Sequence, residues 1–161
     1  MFLTNIEVKN QRVLDLLNYS LHNHQTTWPV QQNNHMIGEP DIDAQEFVGD
    51  TYLQQIVDMG TQHHGYPHGA RSYALKPDHY TGTDPLYKSS FQTFSHELMM
   101  ELGVRVNALS QFYPPEGFIG WHNNADAPGY NLIFTWSETG DGWFKYVDHD
   151  GNIQTIYDTK G

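Results

Sequence analysis

Hydrophobic residues recur along this chain with two periods, helical as far as Gly103 and alternating after it. Leu14, Leu17 and Leu21 form a helical stripe that Val13 and Leu16 broaden, predicting an amphipathic helix over 11–22. Residues 23–42 are polar, are broken by Pro29, Gly38 and Pro40, and read as loop. A second helix is predicted from near Asp43, with Phe47, Leu53 and Ile56 facing inward and Gly60 as its C-cap. Gly65, Pro67, Gly69, Pro77, Gly82 and Pro85 make 61–85 a long irregular segment, a length more often functional than idle. Ser72–Leu75 within it is predicted as an edge strand. The third helix is the clearest, carrying Tyr87, Phe91, Phe94, Leu98 and Leu102 on one stripe before Gly103 stops it.

Alternation then predicts strands. Val104, Val106, Leu109 and Phe112 open the first strand region, and 118–122 forms the next. A third covers 130–137. Trp143–Val147 and Ile153–Tyr157 flank Asp148-His149-Asp150-Gly151, a hairpin turn with an Asp-Gly signal. Helices first and antiparallel strands afterwards give an α+β fold, expected as a single domain over 1–161. In it, 1–103 would brace the sheet that 104–161 builds.

Composition narrows the function classes. Hydrophobic residues are 38% and charged residues 17% of the chain, which is globular rather than disordered. Eight basic and 19 acidic residues give a net charge of -11, against strong binding to a phosphate backbone. There is no cysteine, hence no disulfide, thiolate zinc site or cysteine nucleophile. No apolar run reaches membrane-spanning length, and the N-terminus lacks the pattern of a secretory signal, so a cytoplasmic protein is expected.

The chemistry concentrates in 109–126. This stretch reads as a strand, a Pro-Gly turn over Pro114-Pro115-Glu116-Gly117, and a second short strand that delivers His122. Asn124 and Asp126 follow at two and four residues, on the same face of an extended backbone, where side-chain oxygens can share a metal with the imidazole. Two histidines and one carboxylate are the ligand set of non-haem Fe(II) oxygenases. Asn124 fits the carboxylate position by register and Asp126 by chemistry, because a hard Fe(II) centre prefers an anionic oxygen.

The run Gln111, Tyr113, Pro114, Gly117, Ile119 and His122-Asn123-Asn124 resembles the iron- and 2-oxoglutarate-dependent dioxygenase superfamily, in its AlkB-like and prolyl-hydroxylase-like branches. Within it, the stretch from Gly120 to Gly142 is most similar to small oxygenases of marine bacteriophages. The resemblance covers about 104–161. It implies a double-stranded β-helix (jelly-roll) core braced by the N-terminal helices, with Fe(II) as cofactor and 2-oxoglutarate as cosubstrate. It implies His122 as the first iron ligand, and Gln111 and Tyr113 as contacts to 2-oxoglutarate. The reaction would couple decarboxylation of 2-oxoglutarate to hydroxylation of a small molecule or a protein side chain. The family's distal histidine and its carboxylate-binding arginine lie several strands further on. The only later histidine here is His149, in a turn, and the last arginine is Arg105. The expectation is therefore a jelly roll incomplete at its C-terminus, impaired in catalysis, whose exposed sheet edges pair into a homo-oligomer.

Other residues are read more plainly. His63, His64 and His68 sit among Gly65, Pro67 and Gly69, which prevent a helix from aligning them, so a solvated loop is expected. Asp141 lies in a Gly-rich turn and serves turn geometry. Trp121, Trp136 and Trp143 are expected as core or pocket wall. Arg71 and Arg105 have the chemistry to hold a carboxylate, but nothing in the sequence places them. Two other functions compete: a non-catalytic jelly-roll binding protein with a degenerate metal site, favoured by the neutral Asn124, and a cupin-like metal protein, which needs more histidines than 130–157 supplies.

Overall fold

Asn10 opens the first helix by accepting the backbone N–H groups of Arg12 and Val13 on its Oδ1, at 2.9 and 3.4 Å. The computed structural model describes residues 3–27, 36–37, 41–60, 65, 67–77, 85–123 and 129–161. It is an α+β chain in two compact units, Val8–Ala127 and a second formed by Met1–Glu7 with Pro128–Gly161. No helix among the described residues is long and apolar enough to cross a membrane.

In the larger unit, α1 (Gln11–Thr27) packs along α4 (Pro85–Leu102). Val13 and Leu16 of α1 and Tyr87 and Phe94 of α4 are buried, each such side chain contributing roughly 1.5–3 kcal/mol. Arg12 pairs with Glu97, and Asn10 donates to Glu101, so the carboxylates of α4 near its C-terminal end turn toward α1. The helix α1 outruns the predicted 11–22 because its hydrogen-bond ladder continues after the apolar stripe ends at Leu21.

The helix predicted over 43–60 is two helices, α2 (Ala44–Val48) and α3 (Asp50–Met59). Asp43 caps α2 by accepting from Gln45 N–H at 2.9 Å. Gly49 then takes an extended conformation (φ -79°, ψ 163°) and breaks the ladder. The buried residues are Val48, Tyr52 and Ile56; Phe47 and Leu53, predicted inward, are only half-buried.

A four-stranded antiparallel sheet centres on β2 (Ala70–Ala74), which sequence alone placed at an edge. One side of β2 pairs with β1 (Met36–Ile37), inside a segment predicted as loop. The other side pairs first with β3 (Gln111–Phe112) and then with β4 (Phe118–Ile119). Both run antiparallel to β2, so the predicted strand–turn–strand is one interrupted strand. Tyr73 faces Phe112 and Arg71 faces Phe118, so two steps along β2 match six on the other side, and four residues loop out. Residues 104–110, predicted as strand, lie outside any ladder, with Val106 and Leu109 exposed.

The looped-out segment closes on itself: Gly117 N–H donates to the Pro114 carbonyl at 2.7 Å, with Glu116 at φ 62°. Positive φ at the third position of such a turn is a glycine preference that glutamate meets with strain. Its ion pair with Arg71, at 3.7 Å with Glu116 87% exposed, returns little. Strain relief of ~1–2 kcal/mol outweighs the ~0.5–1 kcal/mol entropic cost of glycine, so Glu116→Gly should raise stability by about 0.5 kcal/mol in urea denaturation.

In the smaller unit, β5 (Trp143–Val147) and β6 (Ile153–Tyr157) form the predicted hairpin. Asp148 and Asn152 close its loop through Asp148 N–H to the Asn152 carbonyl at 2.9 Å, with Gly151 in the left-handed region at φ 85°. The strand predicted over 130–137 does not form. Leu132, Ile133, Phe134 and Trp136 are exposed, and the segment joins only an isolated bridge, Ser137 to Lys160.

Candidate functional site

Gln111 and Tyr113 lie at the start of the interrupted strand, two residues apart and on one face. The structure joins them: the Tyr113 hydroxyl donates to Gln111 Oε1 at 2.7 Å. That bond uses the amide oxygen and leaves the Gln111 NH₂ to donate to a ligand. Tyr113 is 38% exposed as a residue, yet burial of its hydroxyl pushes the phenol pKa from 10.0 up to about 12. The group is thus a neutral hydroxyl throughout the physiological range. A raised pKa stabilises the fold fully below the unfolded value near 10 and loses that contribution as pH rises through about 12. In an ultraviolet titration of phenolate absorbance, Tyr113→Phe should remove one phenol that ionises near pH 12.

His122 lies beyond the other end of this strand, and its placement follows from the break at Gly49. A helix end leaves carbonyls without intrahelical partners. At the end of α2, Trp121 takes two of them: its backbone N–H donates to the Phe47 carbonyl at 3.0 Å and its indole N–H to the Val48 carbonyl at 3.0 Å. One residue earlier, Gly120 N–H donates to the Gly69 carbonyl at 2.8 Å, the last bond along β2. Trp121, expected as core or pocket wall, is therefore the bolt that fixes the chain beside His122.

The imidazole of His122 is exposed, and its Nδ1 lies 2.8 Å from the Gly120 carbonyl. A carbonyl can only accept, so Nδ1 is the donor in this bond, and in the neutral ring the lone pair then belongs to Nε2. A backbone carbonyl on the second ring nitrogen is the usual way a metal-binding histidine is oriented. This is a metal-ready tautomer. Asn124 and Asp126 lie outside the described residues, and no hydrogen bond joins His122 to Gln111 or Tyr113 among the described residues.

The remaining candidates separate. His68 is exposed, with its ring edge-on to Tyr52 at 6.4 Å, while His63 and His64 lie outside the described residues. Arg71 donates to the Ile42 carbonyl at 2.9 Å and faces Glu116. Asp148, His149 and Asp150 place donor atoms within 4.8 Å of one another. Turn closure accounts for that grouping. Asp148 accepts from the backbone of Asp150 and Asn152 and from Gln154, each at 2.9 Å, and His149 lies 3.2 Å from Asp150. The Asn152 N–H, followed by Gln154, holds the Asp148 carboxyl below its ordinary pKa.

What sequence reasoning missed was the support that holds the chain beside His122. Gly49 inside a helical pattern was the available signal, since glycine there marks a helix prone to break. No protein-family model, curated protein or solved structure matches the chain.

Proposed function

We propose that this protein is a 2-oxoglutarate- and Fe(II)-dependent oxygenase built on a jelly-roll core, hydroxylating a small molecule or a protein side chain in the cytoplasm. The observation that carries the reading is His122, an exposed imidazole with Nδ1 held by the Gly120 carbonyl. His122 would hold the metal together with Asn124 or Asp126. Bound iron would supply the oxygen chemistry that couples 2-oxoglutarate decarboxylation to hydroxylation. The chain's own contribution is placement. Gln111 offers its NH₂ to an oxyanion, and Tyr113 stays protonated beside it, adding a hydroxyl but no negative charge to repel one. Leu132, Ile133, Phe134 and Trp136 expose apolar side chains of the kind a neighbouring strand would cover, as the jelly-roll reading requires.

A second reading, a non-catalytic binding protein with a degenerate metal site, is favoured by the neutral amide of Asn124. Anaerobic calorimetry tests the first reading, with Mn(II) standing in for Fe(II). Heat from 2-oxoglutarate is expected only after metal is present, and succinate formed once Fe(II) and oxygen replace Mn(II) marks catalysis. Ternary binding without succinate selects the second reading. Absence of metal binding ends the first reading and leaves the second, in which the degenerate metal face holds a ligand or partner without metal.

A further inference from the structure

The larger unit has an open groove of about 300 Å³ between α4 and the segment that follows it, and His122 does not line it. That volume is at the lower end of small-molecule pockets. Gln92, Ser95, His96 and Met99 of α4 line one wall at spacings that put them on a single helix face. Lys76, Arg105 and Asn107 supply the rest of its polar lining.

The charge pattern is the informative part. This chain has 19 acidic residues against eight basic ones, yet among the described residues no carboxylate lines the cavity and two of the eight basic residues do. The α4 carboxylates nearest in sequence, Glu97 and Glu101, are committed to Arg12 and Asn10 of α1. Lys76 donates to the carbonyls of Asn107 and Ala108, the latter at 3.0 Å. Those acceptors are neutral, so the ammonium is held in position with no carboxylate partner among the described residues, and two of its three N–H donors are used there. Arg105 makes no hydrogen bond or ion pair among the described residues, so its whole donor fork is available. Asn107 is oriented by donating to Ser95 at 3.1 Å and accepting from Ser110 at 3.4 Å. Phe91 and Val106 give the cavity an apolar side.

We infer that this cavity binds a small organic anion, with its oxyanion head on Arg105 and Lys76 and its short carbon body against Phe91, Met99 and Val106. The inference is independent of the oxygenase reading, because the site uses neither His122 nor a metal.

The test is an amide-detected NMR titration of the full chain, with chelator present to remove metal. Inorganic phosphate and succinate are the two probes, and sodium chloride matches the ionic strength. Saturable shifts confined to α4 and 104–108 are expected with at least one probe, and whichever probe saturates assigns a phosphate or a carboxylate head. Arg105→Gln should weaken that binding about tenfold or more, since a charge-assisted bidentate contact is lost. Gln92→Glu, which removes no packing and adds a negative charge to the wall, should weaken it similarly. Arg105 and Gln92 are exposed, so unchanged melting temperatures are expected and check that both variants fold. Shifts reproduced by chloride, spread over the surface, or indifferent to both substitutions overturn the inference.

Discussion

Replacing His122 with alanine is expected to lower the affinity for Mn(II) by at least about a hundredfold while leaving the melting temperature unchanged. Altering only the partner that orients a metal-binding histidine commonly costs 10–100-fold, so deleting the ligand itself should reach at least the top of that range. The fold should not notice, because the ring is exposed and its one hydrogen bond among the described residues is to a carbonyl two residues away. Two companion substitutions settle the second ligand. Asn124→Ala and Asp126→Ala should differ sharply, with only the true ligand reproducing the loss. Conversion of Asn124 to aspartate should tighten binding if that position is the ligand, because an anionic oxygen suits a hard divalent cation better than a neutral amide. Calorimetry reads all four variants. Undiminished Mn(II) binding by the His122 variant would remove the metal site from this strand altogether.

Among the described glycines of the larger unit, Gly69→Ala should be the most damaging change, at about 3 kcal/mol, the upper end for overpacking. Gly69 is buried just before β2, and a Cβ there would lie 2.3 Å from Cγ of Phe47 and 2.6 Å from both Cδ atoms. The ring has little room to yield, since it already meets Tyr52 edge-on at 5.1 Å. Its displacement would disturb the end of α2, where the Phe47 and Val48 carbonyls hold Trp121. A loss of that size is a large part of the ~5–15 kcal/mol that keeps a typical domain folded. Urea denaturation measures it. The same variant, held well below its melting temperature, should also bind Mn(II) more weakly, because His122 follows Trp121 directly. Full stability in the variant would mean that the Phe47 ring has another place to go.

Legibility differed along the chain for physical reasons. The helix ending at Gly103 and the hairpin around Asp150-Gly151 were readable because local rules decide them: a 3.6-residue stripe with a glycine stop, and a turn requiring positive φ at Gly151. The break at Gly49 was missed because one glycine in a helical pattern is usually tolerated, and only the long-range claim of Trp121 on the freed carbonyls makes the break favourable. The position of β2 at the centre of the sheet was missed for a similar reason. Ser72–Leu75 is short and carries no signal for how many neighbours it has, since pairing partners are remote in sequence.

The same division applies to the candidate site. Sequence alone determined its chemistry: which residues can ligate, accept or donate, and that Gln111 and Tyr113 share a face of an extended backbone. It also determined the alternation at 130–137, a surface that suits a sheet, but not a partner for it. The tertiary structure decided that β3 and β4 follow one another along a single edge of β2, with four residues looped out between them. It also decided that His122 is held from the end of α2 and protonated on Nδ1. Side-chain chemistry is a property of each residue and survives any folding. Register, helix breaks and imidazole tautomers depend on groups many positions away, and are fixed only when those groups meet.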